Sequence, residues 1–188
     1  MSWALPLYRR AATWAHTQQS RATEALFQAY RVKWVRRGMF GCLLMAIGGL
    51  SPAFLPANSP WWAVLGAFRE YSWLGPMLGT IAALAGVLLV MDAWFQLRPV
   101  EDAPEVDFRA VLALWSVPML LAPPIFSHDA YAYAAEGYMV HEGLNPYEMG
   151  AGMLQNRWGE QVVEVWRFTR APYGPLSLQL SHLVVDVF

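Results

Sequence analysis

The stretch Phe126–Gly150, FSHDAYAYAAEGYMVHEGLNPYEMG, crowds acids and tyrosines together between two clear helix signals. Ser127 suits a helix N-cap, and Gly143 followed by Asn145–Pro146 suits a stop. The spacing predicts a helix of about four turns between them. Asp129 falls in its first turn, where the helix dipole favours an ionised carboxylate. Tyr133 and Glu136 follow at i+4 and i+7 on the same face, with Tyr131, Ala135 and Tyr138 on a neighbouring stripe. A carboxylate so placed can accept a proton from a hydroxyl, and the phenols beside it can donate hydrogen bonds or stack on a substrate ring. A plainer reading fits the same spacing. An acid in a first turn compensates the dipole of any helix, a tyrosine-rich helix beside a membrane packs at the interface, and Glu136, Glu142 and Glu148 make a solvated face. Spacing alone does not choose between the two.

The elements that must position this helix are apolar. Of the 188 residues 56% are hydrophobic and 14% charged, well short of the charge a soluble domain carries, and the deficit is local. Gly38–Ala57, Tyr71–Met91 and Ala110–Ser127 are uncharged runs of 20, 21 and 18 residues. A helix of about 20 residues covers a hydrocarbon core, and inside lipid a run must satisfy its own backbone groups. The expected fold is therefore an all-α integral membrane protein: a multi-span helical bundle with three complete spans and the start of a fourth. Residues 1–37 form a basic cytoplasmic segment, 38–126 three transmembrane helices with short loops, 127–173 an extracytoplasmic loop, and 174–188 the beginning of the fourth span.

Charge sets the orientation. Arg9, Arg10, Arg21, Arg31, Lys33, Arg36 and Arg37 precede the first run against a single acid, Glu24, which places the N-terminus inside. Trp3, Trp14, Phe27, Tyr30 and Trp34 are the candidate interface anchors of this segment. Membrane topology and contact with lipid headgroups account for the cations, so nucleic-acid binding is not indicated. The 37 residues ahead of the first run are too many for a signal peptide. Asn58–Ser72 reads as an outer loop and Gln96–Arg109 as an inner one. Asp92 lies near the inner end of the second span, at the interface or paired between helices. Pro118 and Pro123–Pro124 predict a kink or an early end to the third span. Cys42 is the sole cysteine, which excludes an internal disulfide and a cysteine-built metal site. His16, His128, His141 and His182 have no HExxH-like spacing and give a zinc site no support.

Three motifs together carry a family resemblance: Asp129–x–Tyr131–x–Tyr133, then Gly143–Leu144–x–Pro146–Tyr147, then Pro172–Tyr173–Gly174–Pro175 within APYGPLSLQLS. Over about Phe126–Ser181 the chain resembles the polyprenol-phosphate-mannose-dependent α-(1→6)-mannosyltransferases of actinobacteria. These are multi-span GT-C membrane glycosyltransferases that build lipomannan and lipoarabinomannan. The resemblance implies a polyprenyl-phosphate-mannose donor, a mannan-lipid acceptor, inversion at the anomeric carbon, and location in the plasma membrane. It implies Asp129 as general base. Arg167 and Arg170, by charge and position, are the candidate ligands of the donor phosphate, and Tyr131, Tyr133 and Tyr173 the candidate sugar-site residues. No cofactor is implied. No second carboxylate adjoins Asp129, so transfer is expected without a tightly bound metal. Two departures stand out. The family's acid commonly lies in the first outer loop, whereas Asp129 falls in the second. Family chains are also far longer, so the expectation is an N-terminal part that is inactive alone.

The competing functional class is a transporter or channel subunit, which would use ionisable groups inside the spans. Asp92 and Asp186 are the only acids there. A third class is a small membrane scaffold whose outer loop binds a partner.

Overall fold

The computed structural model describes residues 4–56, 58–65, 73–99 and 105–187. Trp3, parts of the expected loops Asn58–Ser72 and Gln96–Arg109, and Phe188 lie outside them. The described residues are helical and include no strand. In chain order the helices are α1 (Ala4–Arg31), α2 (Lys33–Gly49), α3 (Leu74–Leu97), α4 (Phe108–Leu120), α5 (Asp129–His141), α6 (Arg157–Gln161), α7 (Glu164–Arg167) and α8 (Pro175–Val187). A 3₁₀ turn at Ala151–Met153 precedes α6.

The chain divides into two compact units, Met1–Ile47 with Ile81–Ala122, and Gly48–Thr80 with Pro123–Phe188. In the first, α1 packs on α4 around Ala29, Val35, Leu97, Ala110 and Val111, all buried. The Trp115 indole donates to the Val35 carbonyl at 2.8 Å and lies directly over Gly38. The backbones of α2 and α3 meet at two glycines. A Cβ on Gly41 would stand 2.7 Å from the Gly86 carbonyl, and one on Gly86 2.5 Å from the Gly41 carbonyl. Small residues at a crossing let two helix backbones approach closely.

The three uncharged runs fare differently. The helix α3 has 24 residues and is, among those described, the one long and apolar enough to cross a membrane. Ile81, Leu84 and Leu88 on it are more than half exposed, as on a helix apolar all round. The first run is carried by α2, 17 residues that begin with Lys33, Arg36 and Arg37 and stop at Gly49 ahead of Pro52. The third is carried by α4, 13 residues that end two past Pro118. Proline removes a backbone donor and crowds the preceding turn, which explains the early end. Asp107 starts α4 by accepting the Arg109 amide at 2.9 Å. Asp92 is paired: Arg37 Nε lies 2.9 Å from its Oδ2, with both side chains about two-fifths exposed or more.

In the second unit α5 lies along α8. Gly137 permits this, since a Cβ there would sit 2.5 Å from the Ser181 backbone. The segment expected as a loop, 127–173, has a core of its own. Ala135, Met139, Ala151, Leu154 and Val162 are buried together, with Tyr138 and Trp158 packed against them. Asn156 caps α6 by accepting the amides of Trp158 and Gly159.

Candidate active site

The helix predicted from caps and spacing is α5. Ser127 Oγ accepts the Asp129 amide at 3.1 Å, although His128 occupies the position just before the first helical residue. At the other end Gly143 has φ +72°, its amide bonds Val140 O, and the Leu144 amide bonds Met139 O at 2.8 Å. That pair of bonds is a Schellman cap, and it needs a residue without a Cβ penalty at Gly143. Just ahead of α5, Phe126 holds φ 69°, a strained value for a residue with a side chain, and its ring meets Phe54 edge-on at 5.9 Å.

A cavity of about 110 Å³ opens beside α5. Asp129, Ala132 and Glu136 line it from the helix, and Trp166, Thr169, Arg170, Pro172 and Tyr173 from the segment entering α8. That segment is held by two bonds. The Ala171 amide donates to Pro146 O at 2.9 Å, and the Tyr147 hydroxyl to Tyr173 O at 2.8 Å. Two of the three motifs seen in the sequence are therefore joined directly to each other. The Tyr173 hydroxyl donates to the Tyr133 hydroxyl at 3.2 Å, with the rings edge-to-face at 5.0 Å. This bond, then desolvation, then nearby ionisable groups including Asp129 and Glu136, push the Tyr173 phenol up to about 12. It stays a neutral donor.

The two arginines separate. Arg170 lines the cavity and is exposed, and its guanidinium makes no ion pair with the described residues. Arg167 is turned into the protein, where Nη2 donates to the carbonyls of Glu160 and Val162, each at 3.2 Å, and Nε is buried without an acceptor among the described residues. Tyr131 stands outside the cavity wall, half-buried beside the His128 ring, and burial raises its phenol.

Glu136 corrects the expectation of a solvated face. Glu142 and Glu148 are exposed, but Glu136 is only 8% exposed, and desolvation raises its carboxyl from 4.5 to about 6. The i+7 spacing had already put it on the face of Asp129. Tertiary packing takes it out of water, and residues of the 166–173 segment face it across the cavity. Trp166 and Thr169 were likewise invisible as site residues, having no motif of their own.

The burial of Glu136 predicts a pH dependence. Between about 4.5 and 6 the native chain holds a proton that the unfolded chain releases, so stability is greatest below that window and falls as pH rises through it. Glu136→Gln should flatten this slope and make the chain more stable than wild type at pH 7, by up to about 2 kcal/mol. Denaturation in detergent at stepped pH measures it. A slope unchanged in Glu136→Gln would assign the titration to another group.

Comparison with known proteins follows the same residues. Residues 35–188 match the family described as alpha-(1->6)-mannopyranosyltransferase, N-terminal domain, and the chain belongs to that family. It is similar to alpha-(1->6)-mannopyranosyltransferase A of Mycobacterium tuberculosis, 33% identical over 159 residues, 81% of this chain and 30% of that protein. It is also similar to alpha-(1->6)-mannopyranosyltransferase B of Corynebacterium glutamicum, 28% identical over 170 residues, 80% of this chain and 28% of that protein. The chain spans less than a third of the length of these relatives. No solved structure matches it.

Proposed function

We propose that this chain carries the base and the donor-phosphate ligand of a membrane mannosyltransferase, which moves mannose from a polyprenyl-phosphate donor to a mannan-lipid acceptor with inversion and forms α-(1→6) linkages. The observation that carries the reading is the cavity itself. A carboxylate at the start of α5, a guanidinium with no ion pair among the described residues and a neutral phenol surround one space.

In this reading Asp129 accepts the proton of the acceptor hydroxyl as its oxygen attacks the anomeric carbon. The bond from that carbon to the phosphate oxygen breaks, and the leaving phosphate takes the electron pair. Arg170 stabilises that charge as it develops. Tyr173 and Tyr133 offer hydroxyls to the sugar, and Trp166 an apolar wall. Arg167 contributes at a distance, by fixing the turn that presents Arg170. Tyr131 shapes the approach to the helix start. The N-terminus is cytoplasmic and Ser127–Tyr173 extracytoplasmic in this arrangement, with α2, α3 and α4 in the bilayer.

Transport is the weaker reading. Asp92, near the inner end of the long apolar helix α3, is paired with Arg37, whereas an ion pathway needs ionisable groups free to exchange. Membranes carrying the full reading frame should incorporate radiolabelled mannose from polyprenyl-phosphate-mannose into a mannan lipid. Absence of incorporation with the protein present and inserted would overturn the proposal.

A further inference from the structure

We propose that His141, His182 and Asp186 form a binding site for a divalent transition metal of the zinc class, bridging α5 and α8. His141 is the last residue of α5, and His182 and Asp186 stand one turn apart on α8. His141 Nδ1 lies 2.7 Å from Asp186 Oδ1, and His182 Nε2 lies 3.3 Å from Asp186 Oδ2. One ligand atom from each residue falls within 4.8 Å of the others. Tetrahedral zinc with bonds near 2.1 Å holds its ligands about 3.4 Å apart, so small rotations of these side chains close the set. Two imidazoles and one carboxylate, with water in the fourth position, are a donor set that zinc takes.

The fold prepares this geometry. The close contact of Gly137 with the Ser181 backbone fixes the helix separation one turn before His141. The Tyr138 ring stacks on His141 at 5.8 Å and on Trp158 at 5.5 Å, which limits how His141 can turn. All three side chains remain between a quarter and a half exposed, so an ion can enter. His141 follows Asp129 by 12 residues on one helix, about 18 Å along its axis. The metal therefore takes no part at the reacting atoms. It clamps α5, the helix that bears Asp129 and Glu136, to α8. The sequence hid the cluster because His141 and His182 are 41 residues apart, and a search for local HExxH-like spacing cannot see ligands brought together by helix pairing.

The test is binding of Zn²⁺ alone to the purified, histidine-tag-free chain in detergent. Calorimetry should show one saturable site. His182→Ala and Asp186→Asn should each weaken it by about 10-fold or more, whereas His16→Ala on α1 should leave it unchanged. Co²⁺ in place of Zn²⁺ should give the visible bands of a four- or five-coordinate ion, lost in His182→Ala. Zn²⁺ should raise the Tm of the wild type and leave that of His182→Ala in place. No saturable binding by the folded wild-type chain overturns the site. So does binding that persists equally in His182→Ala and Asp186→Asn, which marks adventitious surface coordination. Neither outcome depends on mannosyl transfer.

Discussion

Asp129→Asn, in the full reading frame, is expected to slow mannosyl transfer by about 100-fold or more, the scale of a lost general base. Asparagine keeps the size of the side chain and is tolerated near a helix start, so α5 should still form. The amide has no basic site for the acceptor's proton. Donor binding should change little if, as proposed, Arg170 across the cavity holds the phosphate. The competing reading, a carboxylate that only compensates the helix dipole, predicts near-normal turnover and at most a small loss of stability. Glu136→Gln is the companion variant. Glu136 lines the same cavity and is buried, so it is the other carboxylate able to take a proton there. Near-normal transfer by Asp129→Asn, with expression matched and with loss in Glu136→Gln, would move the base two turns along α5.

Arg170→Gln should also be severe, lowering turnover by about 100-fold, as removal of a group that meets developing charge does. The loss should appear in kcat and in donor KM together, because the phosphate is anionic before and during departure of the sugar. Arg167→Gln separates chemistry from scaffolding. Its guanidinium holds the carbonyls of Glu160 and Val162, so that variant should lose thermal stability more than donor affinity. Equal donor affinity in Arg170→Gln and wild type, measured by competition with a polyprenyl phosphate, would remove Arg170 from the phosphate site.

The charge pattern of the first 37 residues, the long apolar run that becomes α3, and the boundaries of α5 were all legible in the sequence. So were the three motifs that place the chain in its family. Each of these depends on neighbours within one or two turns: a cap, a proline, an unbroken apolar stretch, an i+4 spacing. The lengths of the other apolar helices were less legible. Uncharged runs mark where charge is absent, whereas α2 draws in Lys33, Arg36 and Arg37 and α4 stops just past Pro118.

The tertiary structure decided which arginine faces the cavity and which braces a turn, since both precede the same Pro172–Tyr173–Gly174–Pro175 motif and carry the same charge. It turned Glu136 from a surface acid into a buried one through tertiary packing, with residues of the 166–173 segment facing it across the cavity. It also joined His141 to His182 and Asp186 through the contact at Gly137. The physical reason is common to all three. Burial, pairing and ligand geometry arise where distant segments meet, and the free energy of that meeting is set by shape across the contact, which local spacing does not encode.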